Sequence, residues 1–103
     1  MLFKKWTVME DVNGHHSYFY GDLDDYEPEE LEGYIKVPEE KYTADDISEL
    51  LGNVLEDNNY HGMTSIGNQV LSSLRKTTSL SEKELSAFMV DFAKSFTEYH
   101  CLS

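Results

Sequence analysis

The hydrophobic period of this chain changes at Pro38, and that change sets its fold class. Up to Pro38 the apolar residues fall in short runs suited to a pleated surface, whereas beyond it they recur every three or four positions. Trp6, Thr7 and Val8 lie in a first run spanning about 3–12, and the types favour a strand. Asn13-Gly14 then reads as a tight hairpin turn, and His16-Ser17-Tyr18-Phe19-Tyr20 as the returning strand, with Tyr18 and Tyr20 on one face and Phe19 on the other. Residues 33–37 fit a third strand, closed by a proline that cannot donate to a central ladder. The expected arrangement is a three-stranded antiparallel meander whose second connection is residues 21–33.

Past Pro38, Ile47, Leu50, Leu51, Val54 and Leu55 describe one buried stripe, and the spacing predicts a helix over 44–57. Its start is marked by Thr43 with Asp46 three residues on, a capping box, and Asp45 and Asp46 suit the positive end of the helix dipole. A second helix is predicted over 64–75, where Met63, Ile66, Gly67, Val70, Leu71 and Leu74 share a face and Gly67 marks a close helix contact. A third, over 82–99, starts at the box Ser81-Glu82-Lys83-Glu84, flanked by Leu80 and Leu85. Its stripe of Leu85, Phe88, Met89, Phe92, Ala93 and Phe96 is expected to supply the largest share of the core. Strands first and helices afterwards describe an α+β domain, with the three helices packed on one sheet face. A chain of 103 residues is long enough for one such domain and short for two; it should bury roughly 65% of its unfolded surface.

Between the second and third strands lies the densest charge in the chain. Residues 21–33, Gly-Asp-Leu-Asp-Asp-Tyr-Glu-Pro-Glu-Glu-Leu-Glu-Gly, hold seven carboxylates, no basic residue, and a glycine at each end. The expectation is a partly ordered acidic loop with a short helix at Glu27-Pro28-Glu29-Glu30-Leu31, proline sitting where its missing N–H costs nothing. The formal charge of −12 is unevenly spread: sixteen acids against Lys36 and Lys41 make residues 10–57 an anion of −14, while residues 58–103 are neutral. Direct binding to nucleic acid or to an anionic membrane would need basic residues that are scarce here, so a basic protein is the expected partner.

The signatures of common chemistries fail one by one. A calcium loop starting at Asp22 would need glycine at its sixth position and an acid at its twelfth, but Glu27 and Gly33 stand there. His15 and His16 are strand neighbours pointing to opposite faces, His61 sits in a turn, and His100 with Cys101 lies near the chain end; no CxxC or HExxH accompanies them. Gly62-Met63-Thr64-Ser65-Ile66-Gly67 has phosphate-loop glycine spacing, yet Asn68-Gln69 replace the required Lys-Ser/Thr, leaving a helix start whose hydroxyls should cap the helix itself. No metal, cofactor or catalytic residue is therefore assigned, and the chain is not expected to be an enzyme. One cysteine points to a reducing compartment, no run approaches the ~18 apolar residues of a membrane span, and the start of the chain lacks a signal-peptide apolar run, so a soluble cytoplasmic protein is expected.

The function these features predict is a small interaction protein presenting a carboxylate-rich face to a basic, nucleic-acid-binding surface of a partner. The expected contact residues are Asp22, Asp24, Asp25, Tyr26, Glu27, Glu29, Glu30 and Glu32, with Tyr18 and Tyr20 as anchors, since tyrosine is enriched at interface hot spots. In size and charge the chain resembles small acidic inhibitors encoded by phages and mobile elements, among them DNA mimics and some anti-CRISPR proteins, and also acidic immunity proteins that neutralise basic nuclease toxins. The alternatives are a small-ligand binder with an aromatic-lined cavity, in one version a homodimer formed through the neutral helical half, and an acidic domain whose charge serves only solubility.

Overall fold

A computed structural model describes residues 3–102, so the first two residues and the last of the expected 1–103 domain lie outside it. Its elements are β1 (Trp6–Glu10), β2 (His16–Tyr20), α1 (Pro28–Leu31), β3 (Ile35–Lys36), α2 (Ala44–Asp57), α3 (Ile66–Thr77) and α4 (Glu82–Tyr99). Single 3-10 turns occur at Leu23–Asp25, Glu39–Lys41 and His61–Met63. The α+β class is as the period change predicts. Two compact units are formed, Phe3–Tyr42 and the segment from Thr43 onward.

In the first unit β1 is the centre of the sheet, in the order β2-β1-β3, which corrects the expected meander. β1 pairs antiparallel with β2, Trp6 opposite Tyr20 and Glu10 opposite His16, and with β3, Met9 opposite Lys36. The reason lies in the second connection: fourteen residues separate Tyr20 from Ile35, enough to carry the chain across to the far edge of β1. There the Val37 N–H donates to the Val8 carbonyl at 2.9 Å. The central strand is also the buried one, with Thr7, Val8 and Met9 all buried, while β3 is exposed.

The β1–β2 turn differs from the expected Asn13-Gly14 reversal as well. The Asp11 carbonyl accepts from the Gly14 N–H at 3.0 Å, so the turn spans Asp11–Gly14 and only Gly14, at φ 82°, is left-handed. What selects this turn is the Asp11 side chain, whose Oδ1 accepts the N–H groups of Asn13 and His15, each at 2.9 Å. These backbone bonds, that of His15 foremost, hold the Asp11 carboxyl below its ordinary value.

The second unit is three helices with α2 in contact with both α3 and α4. α2 begins where the sequence predicts: Thr43 Oγ1 accepts from the Asp46 N–H at 3.0 Å, and Asp46 Oδ2 accepts from the Thr43 N–H at 2.9 Å. Ala44, Ile47, Leu50, Leu51, Val54 and Leu55 are each 1% exposed or less, so α2, and not α4, supplies the largest share of the core. Each fully buried Ile or Leu contributes about 1.5–3 kcal/mol. α4 buries only Leu85, Met89, Ala93 and Thr97; Phe92 and Phe96 are half-buried and Phe88 is exposed.

Close approach of α3 to α2 explains the glycine in its first turn. A Cβ at Gly67 would stand 3.2 Å from Ser48 Cα, and one at Gly52 only 2.6 Å from the Thr64 carbonyl oxygen. The predicted start of α3 shifts from 64 to Ile66, and the hydroxyls there do not cap it: Thr64 donates to the His61 carbonyl, and Ser65 Oγ accepts from Gln69 Nε2.

Candidate protein-interaction surface

Residues 21–33 are an ordered connection whose two ends require glycine. Gly21 at φ 85° and Gly33 at φ 82° take the left-handed conformation, with open space around each, so it is the backbone path that selects them. The Gly21 N–H donates to the Lys5 carbonyl at 2.7 Å, pinning the entry to the residue just before β1. Within the segment the chain turns twice on its own acids. Asp22 Oδ1 caps the first turn by accepting the Asp24 N–H at 3.0 Å, and Glu30 Oε2 reaches back to the Glu27 N–H at 2.9 Å at the start of α1, where Pro28 occupies the first position.

Aromatic packing fastens this segment to the sheet. Phe19 makes edge-to-face contacts with Tyr26, at 5.3 Å between centroids, and with Tyr34, at 5.2 Å, so one β2 side chain holds the chain on either side of α1. The Tyr26 hydroxyl donates to the Tyr20 carbonyl at 2.5 Å. Strand alternation puts Phe19 on one face of the sheet and Tyr18 and Tyr20 on the other, where Tyr20 meets the Trp6 ring at 5.1 Å.

The ten residues singled out from the sequence thus separate into groups. Asp22, Asp24, Asp25, Glu27, Glu29, Glu30 and Glu32 are all exposed on the connection. Asp22, Glu27 and Glu30 also serve as caps, Glu27 and Glu30 as the two halves of a capping box; the side chains of Asp24, Asp25, Glu29 and Glu32 form no hydrogen bond or ion pair among the described residues. Tyr26 is half-buried and tied down at both ring and hydroxyl, a support for the carboxylates more than a free anchor. Tyr18 and Tyr20 stand on the sheet face opposite Phe19. Phe19 is a support that the sequence-based choice of contact residues passed over; the signal was the alternation itself, which left Phe19 as the aromatic facing away from its two tyrosine neighbours.

Electrostatically the unit Phe3–Tyr42 carries eleven carboxylates against four lysines, a net −7. Its two histidines bind different acids: His16 Nε2 lies 3.2 Å from Glu10, and His15 Nδ1 3.9 Å from Asp11. Among the described residues no three His, Cys, Asp or Glu side chains are grouped as a metal ion would need. No described helix is long and apolar enough to cross a membrane. No family model, curated protein or solved structure matches this chain.

Proposed function

We propose that this protein binds the basic surface of a partner, of the kind that otherwise holds nucleic acid, through the carboxylates of residues 22–32. The observation that carries the reading is that seven exposed carboxylates stand on a short connection fastened by Phe19, Tyr26 and Tyr34, none of them in an ion pair among the described residues. Crowded like charges on a flexible loop spread apart, whereas charges on a fastened one are presented in a set arrangement, which favours recognition over mere solvation. A polyanion of this kind competes for sites that bind phosphate backbones, because both neutralise the same lysines and arginines. The reading is of a cytoplasmic binding protein with no catalytic step.

The test is capture of basic proteins from lysate at low salt, followed by an affinity measurement on the purified partner as salt is raised. Steep weakening with salt is expected. The six-fold variant Asp22→Asn, Asp24→Asn, Asp25→Asn, Glu27→Gln, Glu29→Gln and Glu30→Gln should fold and lose binding. A variant that binds as tightly as the parent would move the interface away from residues 22–32.

A further inference from the structure

α4 carries a second surface, of different chemistry. Its buried line is Leu85, Met89, Ala93 and Thr97. Beside that line runs an aromatic stripe of Phe88, Phe92, Phe96 and Tyr99, in which Phe88 is 42% and Tyr99 83% exposed. Phe92, Ser95, Phe96, Tyr99 and His100 line a shallow, open and almost wholly apolar hollow of about 310 Å³. Its walls are held in place by ring contacts: Phe92 to Phe96 at 5.9 Å, Phe96 to His100 at 4.5 Å and His100 to Tyr60 at 5.6 Å.

Along the solvent edge of the stripe stand Glu84, Asp91 and Glu98, all exposed. Seven residues are nearly two helical turns, so these three form a column about 70° round the helix from Phe88 and Tyr99. The lysines of α4, Lys83 and Lys94, lie farther round still, and no cation among the described residues pairs with the column. The edge of the aromatic stripe is therefore purely anionic.

We infer that this face of α4 docks an amphipathic helix of a partner protein, one that carries lysine or arginine beside a row of apolar side chains. The apolar row fills the hollow at Phe92, Phe96 and Tyr99, the helix-in-groove mode of recognition, and the basic residues meet Glu84, Asp91 and Glu98. A second copy of this chain is the poorer occupant. Antiparallel pairing of two α4 stripes sets one acidic column against the other, and like charges across an interface oppose association. The surface is built from the unit beginning at Thr43 and is independent of the reading of residues 22–32.

The test is an amide NMR titration of the full chain with a synthetic helical peptide, leucines on one face flanked by lysines, and with a shuffled peptide of the same composition that has no apolar face. Shifts across residues 88–100 are expected with the first peptide alone. Tyr99→Ser, an exposed change that leaves the core untouched, should weaken binding about tenfold, the scale of an interface anchor. Glu84→Gln with Asp91→Asn and Glu98→Gln should weaken it several-fold and flatten its salt dependence. Three results overturn the inference: unmoved amides at 88–100, equal shifts there with the shuffled peptide, or movement of those amides with protein concentration alone, which would assign the face to a second copy. Neutralising the carboxylates of residues 22–32 should leave the α4 shifts in place; their loss in that variant would also overturn it, whereas loss of basic-partner capture alone bears only on the first surface.

Discussion

Arg75 grips both carboxylate oxygens of Asp45, Nη1 to Oδ1 and Nη2 to Oδ2, each at 3.1 Å, across thirty residues of sequence. The same guanidinium reaches Glu82 at 3.2 Å. One side chain thus joins the first turn of α2, the last turn of α3 and the first turn of α4, with the acids at the positive ends of two helices and the cation at the negative end of the third. The bonds to Asp45 and the Asp45 charge, then the bond to Glu82 and its charge, raise the Arg75 pKa above its ordinary value. All three groups are solvent-accessible, so the network contributes modestly to stability.

A double-mutant cycle on Arg75→Ala and Asp45→Ala should give a coupling of about 0.5–1 kcal/mol, shrinking as salt rises. Coupling that is zero at low salt would mean that the two side chains are not held together in solution.

Gly52→Ala places a methyl group where the Thr64 carbonyl oxygen already sits. Alanine gains about 1 kcal/mol of helix propensity there, but overpacking against backbone costs about 1–3 kcal/mol and cannot be relieved by a rotamer change. Net destabilisation is expected in thermal or denaturant unfolding, in contrast to an exposed helical position, where the same change stabilises.

Removing the ring at Tyr26 should free the acidic segment without unfolding the sheet. Tyr26→Phe loses only the hydroxyl bond to Tyr20, a cost of about 1 kcal/mol, while Tyr26→Ala also loses the contact with Phe19. Faster amide hydrogen exchange over residues 22–32 is expected in the order Ala, Phe, parent, with the β1–β2 amides little changed.

Glu84 carries a pH signature. Hydrogen bonds from Ser81, chiefly its backbone N–H, hold the carboxyl below its ordinary 4.5. A carboxylate with a lowered folded-state pKa stabilises the fold at pH values above its unfolded pKa, and that contribution is lost as pH falls through the folded value. Glu84→Gln should accordingly lose less stability than the parent on acidification below about pH 4. Ser81→Ala removes the hydroxyl that accepts the Glu84 N–H at 3.2 Å and should cost about 1 kcal/mol at neutral pH.

The local bonds of this protein were legible in its sequence because both partners lie within one turn. Thr43 with Asp46 and Ser81 with Glu84 form the boxes their spacing predicts, and α2 and α4 begin where those boxes place them. Proline at the start of α1, the close contact at Gly67 and the opposite facing of Phe19 and its tyrosine neighbours follow from equally short-range rules. Asp11 was the exception: its two backbone bonds chose the turn over the more familiar Asn13-Gly14 signal.

Only the tertiary structure decided what depends on partners far apart in the chain. A fourteen-residue connection permits β3 to join either edge of the hairpin, and strand propensity says nothing about which. Periodicity shows that α4 has an apolar face; it does not show that only the arc through Leu85, Met89, Ala93 and Thr97 is buried, nor that Phe88 and Tyr99 stand outside it. Carboxylate count made residues 21–33 conspicuous, but their fastening depends on a ring from β2 meeting Tyr26 and Tyr34, seven and fifteen residues further along the chain. Period and charge are properties of neighbours in sequence. Edge choice, the buried arc and the support beneath the charges come from neighbours in space.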